Sequence, residues 1–566
     1  MIDKIDKSLK ESIIVFTILI VGFLLASFVF SYVTIEHPAY IWDWGNFYIR
    51  YQDLGATATK NFQSALSLVL NSIKSEDYNV SSVSLLLPVY FLFGPQRVAY
   101  IGGIVILFLV PATFVTAYFC EVAYKYKISP ISKISVFVFV VFFPPFWQAA
   151  LRGLPDVVGL VPLGIASILL IKSEYLSRRV LSFSIAVGVL IWIAFMFRRW
   201  YAYAGVSLLF CSFLMALFQS WIKNRSLGKL LMSAVPFIIV FLVGVCLLMI
   251  FQMELLLRVI HTSYVDIYKA YQTSIYDHFV RYYSFSGPIF AILLVLGIFI
   301  SIRNGYLAVL FFFGVGLLTI ILFSMTQAPG IQHVLPVYFY FMPISTVPIF
   351  KFLSNSQRFC NQILFFIILV IVPTIYLTTF FPKIYQSFPV IANISPSRKY
   401  NHHPLYLANY SEYRRLISDI HQMLDKGDFF TVFASNHSLA DSLLHALDRT
   451  LEPHILWASQ VDQRDGFLLS ALKARFAIIA TPTPIHLAED NQRVISVPSE
   501  MIRSGQGIGK EYRLVAGPYE LANGHTAFVY ERLVPLTTGA IRDLENAFIK
   551  FHKDWLWNGK DKISAP

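Results

Sequence analysis

The sequence predicts a polytopic α-helical membrane protein with about eleven transmembrane helices, followed by a soluble α/β domain in its C-terminal part. Of its 566 residues, 56% are hydrophobic and 14% are charged, and the mean hydropathy is +0.62. Uncharged apolar runs long enough to cross a hydrocarbon core of roughly 30 Å recur before residue 381. From about Pro382 the composition becomes that of a soluble domain. These observations exclude an ordinary soluble globular protein.

The predicted transmembrane helices are the long apolar runs that charged or turn-forming residues bound. They cover residues 11–33, 97–120, 133–151, 155–171, 180–197, 201–221, 230–252, 285–302, 305–325, 333–350 and 361–381. Residues 304–350 contain no Lys, Arg, Asp or Glu, and we divide them at the Pro-Gly pair 329–330, which interrupts a helix. The first run is too long for a cleaved signal peptide and is interpreted as a retained span.

The positively charged residues predict the orientation of these helices. With the N-terminus in the cytoplasm, the inner connections are rich in basic residues and the short outer connections are poor in them. The inner set is Lys4, Lys7, Lys10, Lys125, Lys127, Lys133, Lys172, Arg178, Arg179, Lys223, Arg225, Lys229, Arg303, Lys351 and Arg358. The odd number of spans then places the C-terminal domain on the outer, non-cytoplasmic side of the membrane. Topology therefore accounts for the net charge of +12, and nucleic-acid binding is not needed to explain it.

Two domains are predicted, a transmembrane domain over residues 1–381 and an outer α/β domain over residues 382–566. The first contains two long outer loops, 34–96 and 253–284, and both have the mixed apolar and polar pattern of helices that lie in the membrane interface. In the second, short apolar runs predict strands and one run has helical spacing. The strands are Phe429–Phe433, Phe476–Ala480 and Ala527–Tyr530, and the helix is Leu439–Leu447.

Several kinds of chemistry lack their motifs in this chain. The four cysteines lie in or beside predicted helices, with no spacing for a disulfide framework or a metal site. There is no Walker-type phosphate loop, no Gly-rich dinucleotide fingerprint, no zinc-helix motif and no Ser-centred nucleophile elbow. The sequence therefore predicts no cofactor and no cytosolic domain that is driven by nucleotide binding or hydrolysis.

Two carboxylates near the outer ends of the spans are candidate catalytic groups. Asp43 lies between two tryptophans after the first span, and Asp156 lies where the third span gives way to the fourth. A charge at a membrane helix end is costly unless it is functional or faces water. One carboxylate can act as general base on an acceptor hydroxyl while the other orients a substrate group. The alternatives are a helix cap between aromatic anchors for Asp43 and a dipole-favoured helix N-terminal residue for Asp156.

Basic residues at the same predicted surface are candidates for binding a phosphate. Arg198 and Arg199 end the fifth span on the outer side, against the usual charge bias. Guanidinium groups match phosphate oxygens, so a lipid phosphate would explain the pair. The alternative is that both arginines extend to lipid headgroups. Arg152 is a weaker candidate of the same kind.

His333 follows the Pro-Gly break and opens the tenth span, where it could donate to a leaving phosphate or hold the acceptor. The alternative is a histidine that is merely hydrogen-bonded at an interface. Further candidates for substrate binding share the predicted outer surface, and these are Trp44, His37, Tyr203, Lys269 and Gln327.

This pattern resembles the GT-C superfamily of membrane glycosyltransferases, which includes protein O-mannosyltransferases and bacterial aminoarabinose transferases of lipid A. The resemblance is carried by an acidic residue in the first outer loop (Asp43), a second at the next outer turn (Asp156) and a basic residue ending a later span (Arg198 or Arg199). It continues with a Gln-His-Val-Leu-Pro stretch at 332–336, and with the order of long first loop, many spans and trailing α/β domain, which covers nearly the whole chain.

The resemblance implies a sugar donor linked to polyprenyl phosphate, with the first-loop carboxylate deprotonating the acceptor. It also implies that the transmembrane domain is catalytic and that the outer side, with the α/β domain, is the periplasmic side of a bacterial inner membrane. Asp43 here stands alone between tryptophans rather than in the Asp-Glu pair of the mannosyltransferases. This departure favours a glycan or glycolipid acceptor of the bacterial envelope, such as lipopolysaccharide or O-antigen, and gives no support for a bound metal. An inverting single displacement at the membrane interface is the simplest mechanism.

Two other functions remain open on the sequence. A transporter or flippase of lipid-linked sugars is expected to show repeated halves and polar helix interruptions at the midplane, and no such repeat is visible. An O-antigen polymerase or ligase also acts on polyprenyl-linked glycans, but a trailing α/β domain of this size is not expected in that class.

Overall fold

The structure, a computed structural model, describes residues 22–37, 40–353, 366–381 and 404–553, together with positions 363 and 387. It confirms the predicted fold class, a polytopic helical membrane protein with a small α/β part near its C-terminal end. In the described part, eight helices are long and apolar enough to cross a membrane. They are Arg97–Tyr124, Pro130–Leu151, Pro155–Lys172, Val180–Phe197, Tyr201–Ile222, Leu230–Phe251, Ile275–Asn304 and Leu307–Ser324.

The other three predicted spans differ from these eight. The tenth is a helix, Leu335–Phe352, whose residues from 335 to 350 are all buried, and internal prolines at 343 and 348 lower its apolar character. For the first and eleventh, shorter apolar helices are described at Gly22–Ile35 and Ile367–Thr378. Residues 11–21, and the start of the eleventh span apart from position 363, lie outside the described residues.

Close backbone contact fixes one helix pair in the membrane part. Helix Ile275–Asn304 packs against helix Leu335–Phe352 at Gly297, where a Cβ atom would overlap the carbonyl oxygen of Ile344. Only glycine permits this approach, because it has no side chain. The contact fixes the position of the buried helix Leu335–Phe352 against its neighbour.

Shorter helices occupy the two predicted outer loops. Those of the first loop are Trp42–Lys60, Phe62–Ser75, Ser81–Ser84 and Leu87–Phe93, and those of the second are Met253–His261 and Tyr264–Ile267. Helix Phe62–Ser75 leaves Leu66 and Leu70 about half exposed while Ala65 and Val69 are buried. This two-sided pattern is the one predicted for helices at a membrane interface.

Contacts divide the chain into two compact units. The first contains the membrane helices. The second joins residues 405–553 to two short segments, Ile35–Asn46 and Tyr264–Gln272, which belong to the two predicted outer loops. The segment that carries Asp43 is therefore part of the same unit as the C-terminal residues.

The second unit is built on a four-stranded mixed sheet. Its strands are β1 (Phe430–Val432), β2 (Phe476–Thr481), β3 (Tyr512–Glu520) and β4 (Thr526–Arg532), in the order β1-β2-β4-β3. Strands β1 and β2 are parallel, and the other two pairs are antiparallel. Three strands were predicted from their short apolar runs, whereas β3 was not. Within residues 405–553, the helices of this unit are Tyr410–Met423, Asp441–Leu447, Asp462–Asp465, Arg493–Ser504 and Thr538–Phe551.

The two faces of the sheet bury separate apolar cores. Alternate residues of β2 divide between them, with Phe476 and Ile478 on one face and Ala477 and Ile479 on the other, as the two-residue period of a strand requires. Helix Tyr410–Met423 covers the first face, and helices Arg493–Ser504 and Thr538–Phe551 cover the second. The first core also contains Ile41, which is 1% exposed and comes from the N-terminal segment.

Candidate active site

A buried ion pair joins two of the predicted site residues. Arg198 directly follows helix Val180–Phe197 in an extended conformation, and Asp156 lies in the 3-10 turn Pro155–Gly159. The Arg198 Nε atom donates a hydrogen bond to Asp156 Oδ1 at 2.8 Å, and the two side chains are 1% and 0% exposed. The sequence proposed separate roles for these residues, and the structure places them in direct contact.

Aromatic rings surround the Arg198 guanidinium. Its carbon lies 3.8 Å from the ring centre of Trp200, 4.6 Å from that of Phe47 and 4.7 Å from that of Tyr78. Such cation–π contacts stabilise a cation in a dry environment. They do not satisfy its N–H groups, and Nη1 and Nη2 are buried without a hydrogen-bond partner among the described residues. Each such group costs about 1–3 kcal/mol, so this side of the guanidinium is suited to an anionic ligand.

The turn that carries Asp156 is held by hydrogen bonds from two helices that are not its neighbours in the chain, Arg97–Tyr124 and Tyr201–Ile222. Gly153 adopts a left-handed conformation with φ of 77°, and its carbonyl accepts a hydrogen bond from the Tyr100 hydroxyl at 2.7 Å. The backbone carbonyl of Asp156 accepts another from the Tyr201 hydroxyl at 2.8 Å. Arg152, predicted to bind phosphate, is 2% exposed at this turn, and its carbonyl accepts from Arg97 Nη2 at 3.4 Å.

Arg199 takes part in a second group of charges. Its Nη1 atom lies 2.5 Å from Asp77 Oδ2, and Asp77 Oδ1 lies 3.3 Å from Arg258 Nη1. Arg258 also donates to the carbonyl of Ser75 at 2.7 Å. Asp77 thus bridges the arginine at the end of a membrane helix and an arginine of helix Met253–His261. Sequence reasoning missed Asp77, because a single aspartate in a polar loop has no distinguishing pattern.

His333 is connected to the ion pair of Arg198 and Asp156 through the Trp200 ring. The two rings meet edge to face with centroids 4.7 Å apart, and the Phe323 ring lies 4.9 Å from the histidine. The backbone N–H of Gly330 donates to His333 Nδ1 at 3.0 Å, so the Nε2 atom carries the proton of a neutral ring. Asp156, Arg198, Trp200 and His333 therefore form one continuous series of contacts.

Two further predicted residues lie near this series in the chain. The Tyr203 and Thr326 hydroxyls are 2.8 Å apart, which connects the start of helix Tyr201–Asn224 to the loop after helix Leu307–Ser324. The neighbouring Gln327 is partly exposed, and its backbone N–H bonds to the Phe323 carbonyl at 3.3 Å.

The remaining predicted residues belong to the second unit. Asp43 is in the first turn of helix Trp42–Lys60 and is partly exposed. Trp44 stacks on His437, and His37 stacks on Tyr410 with ring centroids 4.4 Å apart. Lys269 is exposed in a short 3-10 turn. The candidate residues are thus divided between the two units.

Among the described residues, no group of three or more His, Cys, Asp or Glu side chains is arranged to hold a metal ion. What the first unit does provide is a buried guanidinium with unused donors, a carboxylate that fixes its orientation, and a second arginine at the next position in the chain. This arrangement can bind and stabilise an oxyanion.

Comparison with solved structures gives a similar protein. The chain is similar to ArnT from Cupriavidus metallidurans. The apo structure matches with a TM-score of 0.48 and 11% identity, over 92% of this chain and 98% of that chain. The structure bound to undecaprenyl phosphate matches with a TM-score of 0.45 and 11% identity, over 90% and 97% of the two chains.

No family model matches the chain, and no curated protein matches its sequence significantly. At 11% identity, the roles of individual residues have to be argued from their own contacts.

Proposed function

We propose that this protein is a membrane glycosyltransferase that moves a sugar from a polyprenyl-phosphate-linked donor to a glycan or glycolipid of the bacterial envelope. The observation that carries the proposal is the buried Arg198 guanidinium, whose two terminal nitrogens have no hydrogen-bond partner among the described residues. A phosphate group supplies oxygen acceptors in the planar spacing that a guanidinium matches.

The donor of such an enzyme has its sugar phosphate at the membrane interface and its polyprenyl tail in lipid. Arg198 and Arg199 follow the end of a helix long and apolar enough to cross a membrane, which suits a ligand at that depth. When the bond from the sugar to the phosphate breaks, negative charge grows on the phosphate. Cationic donors that are already oriented stabilise that charge without having to reorganise.

Asp156 acts as a positioning residue for Arg198 in this mechanism. Its carboxylate holds the Nε atom and leaves Nη1 and Nη2 for the phosphate. His333 orders the Trp200 ring that lies against the guanidinium, and in this proposal its Nε2–H group donates to a phosphate or acceptor oxygen.

Asp43 is the proposed general base. It would remove a proton from the acceptor hydroxyl as that oxygen attacks the anomeric carbon, and the polyprenyl phosphate would leave in the same displacement with inversion. The reaction takes place on the periplasmic side in this proposal, because the basic residues of the connections favour a cytoplasmic N-terminus. Trp44, His37, Tyr203, Lys269, Gln327 and Arg152 are the proposed further contacts with the substrates.

The phosphate site is tested by binding undecaprenyl phosphate to the purified protein in lipid nanodiscs. Arg198→Ala should weaken binding by about tenfold or more, since charge-assisted hydrogen bonds contribute roughly 1.5–3 kcal/mol. Arg198→Lys keeps the charge beside Asp156 but lacks the planar fork, and it should bind more weakly than the native protein while remaining folded. Arg178→Ala, which removes an exposed arginine paired with Glu174, is the matched control. If both Arg198 variants bound undecaprenyl phosphate with the affinity of the native protein, the proposed phosphate site would be wrong.

Catalysis is tested with a panel of undecaprenyl-phosphate monosaccharides carrying a radiolabelled sugar and an envelope glycolipid fraction as acceptor. Transfer by the native protein and its loss in Asp43→Asn support the proposal. Movement of the labelled lipid across the bilayer without formation of a glycosidic bond would instead assign a flippase. Transfer only from diphosphate-linked oligosaccharides would assign a polymerase or ligase.

A further inference from the structure

The N-terminal segment Ile35–Asn46, which carries Asp43, is an integral part of the C-terminal unit. Its Ile41 side chain is buried in one core of that unit. The backbone N–H of His37 donates to the carbonyl of Leu405 at 3.1 Å, and the backbone N–H of Leu405 donates to Glu36 Oε1 at 3.2 Å. These contacts join residues more than 350 positions apart in the chain.

The two tryptophans beside Asp43 are held by two histidines of the C-terminal residues. Trp44 stacks on His437 with centroids 5.6 Å apart and an interplanar angle of 11°. Trp42 lies 4.8 Å from His486 and 5.3 Å from His437, with tilted rings. Each ring adjacent to Asp43 therefore has an imidazole partner, so the residues on both sides of the aspartate are anchored to the two histidines.

The positions of the two histidines follow from the sheet. His437 comes five residues after the end of β1, and His486 comes five residues after the end of β2. Because β1 and β2 are parallel neighbours, both loops leave the same edge of the sheet. The carboxyl edge of parallel strands is where α/β folds commonly bind their ligands. In this protein the tryptophans beside Asp43 meet both of these loops.

Hydrogen bonds fix the histidine loops. Asn436 Oδ1 accepts from the backbone N–H groups of Ser438 and Leu439 at 2.7 and 3.2 Å, which closes a tight turn around His437. His486 Nδ1 lies 2.9 Å from the Ser435 carbonyl, and the buried Gln492 side chain accepts from the His486 backbone N–H at 2.7 Å. Burial lowers the pKa of His486, so its ring is neutral and packs as an aromatic group.

Backbone strain at Trp42 supports the same interpretation. Its φ of 51° lies in the left-handed region, which is a rare conformation for a bulky residue. Strain of this kind costs on the order of 1–3 kcal/mol and persists only where the surroundings determine the conformation. The ring contacts of Trp42 with His437 and His486 provide those surroundings.

We propose that the C-terminal unit positions Asp43 for catalysis, with His437 and His486 as the positioning residues that hold the tryptophans on either side of it. This inference rests on the proposed function of Asp43 as general base. It gives the C-terminal unit a direct part in the reaction: without these contacts the carboxylate loses its defined place, although the phosphate-binding arginines of the first unit are unchanged.

The experiment compares transfer kinetics for the full-length native protein, His437→Ala, His486→Ala and the double variant in nanodiscs. The double variant should lower kcat strongly, on the order of 10²-fold if the carboxylate shifts by about 1 Å. KM for the lipid-linked donor and binding of undecaprenyl phosphate should not change, because Arg198 and Arg199 lie in the first unit. His437→Phe keeps an aromatic ring against Trp44 and should recover most of the kcat lost in His437→Ala. His421→Ala, an exposed histidine of the same unit paired with Asp448, is the control.

A thermal-unfolding double-mutant cycle of Trp44→Ala and His437→Ala tests the contact without any activity measurement, and a non-additive loss of stability is expected. Additive effects would overturn the inference, as would native kcat in the double histidine variant when Asp43→Asn is inactive. The proposed function would survive both results. Native transfer by Asp43→Asn would overturn the assigned base, and this inference with it, while the binding assay would still report on the phosphate site.

Discussion

Arg199 and Asp77 are 122 positions apart in the chain, and their side chains meet at 2.5 Å between Nη1 and Oδ2. The two groups are only 14% and 23% exposed, so solvent screens their attraction less than that of a surface pair. The same aspartate reaches Arg258 at 3.3 Å. A single carboxylate thus links the end of a membrane helix to helix Met253–His261, which belongs to the second predicted outer loop.

Because Asp77 bridges the two arginines, we expect substitutions in this group to lower the stability by different amounts. Asp77→Asn removes the charge that compensates a largely buried arginine, and we expect it to cost about 1–3 kcal/mol and to lower the thermal unfolding midpoint in detergent. Arg258→Ala should cost less, because that arginine is 46% exposed and its contact with Asp77 is longer. Glu174→Gln breaks an exposed pair with Arg178 and should have no measurable effect. Equal midpoints for Asp77→Asn and the native protein would contradict the bridge.

Gly297 provides a test of helix packing in the membrane. Gly297→Ala places a methyl group against the Ile344 carbonyl, so the helices must separate, at a cost of about 1–3 kcal/mol or more. The expected result is a lower unfolding midpoint or a loss of monodisperse protein in size-exclusion chromatography. Gly314 is the matched control, since a Cβ atom there meets no heavy atom within 4 Å. Gly314→Ala should be tolerated, and a similar loss in both variants would refute the packing argument.

Much of the membrane part could be predicted from the sequence, because a long run of apolar residues is visible in consecutive positions of the chain. All eight long apolar helices correspond to predicted spans. Helix Leu335–Phe352 was also predicted, although its internal prolines weaken the apolar signal. Strand β2 could be recognised from its continuous apolar run. Strand β3 could not, because Gly517 and Pro518 within it have the pattern of a turn.

The candidate site depends on contacts that a local pattern does not contain. The ion pair of Arg198 with Asp156 and the bridge through Asp77 join residues from separate connections of the chain. Likewise, Trp42 and Trp44 have the composition of interfacial anchors, and nothing near them in the sequence indicates partners at His486 and His437. The signals that pointed to this segment were a lone aspartate near the end of a predicted span and the aromatic residues beside it, and neither indicates a histidine partner.

Asp441 predicts a pH dependence of stability in the C-terminal unit. Burial raises its pKa from 3.8 to about 7, so the folded protein holds this proton more tightly than the unfolded chain. Stability should therefore fall as pH rises from about 4 to about 7 and then level off, with a total change on the order of 4 kcal/mol. Asp441→Asn cannot ionise and should lose this dependence.

The measurement is the unfolding midpoint of the full-length protein and of Asp441→Asn between pH 4 and pH 8. The unfolding midpoint of Asp441→Asn should exceed that of the native protein by an amount that increases as the pH rises. Asp425→Asn, at a side chain that is 88% exposed, is the control and should follow the native protein. A difference that does not vary with pH would show that Asp441 does not titrate in this range.

The orientation in the membrane is tested by labelling single cysteines in a background that lacks the four native ones. Asn46→Cys lies in the segment that carries Asp43, and Lys426→Cys lies on the surface of the C-terminal unit; both native side chains are exposed. A maleimide that cannot cross membranes should label both in intact spheroplasts, because the basic connections favour a cytoplasmic N-terminus. Lys127→Cys, in a predicted inner connection, should react only after permeabilisation. Labelling of Lys127→Cys in intact spheroplasts, with protection of Asn46→Cys, would reverse the topology and place Asp43 on the cytoplasmic side, away from a periplasmic acceptor.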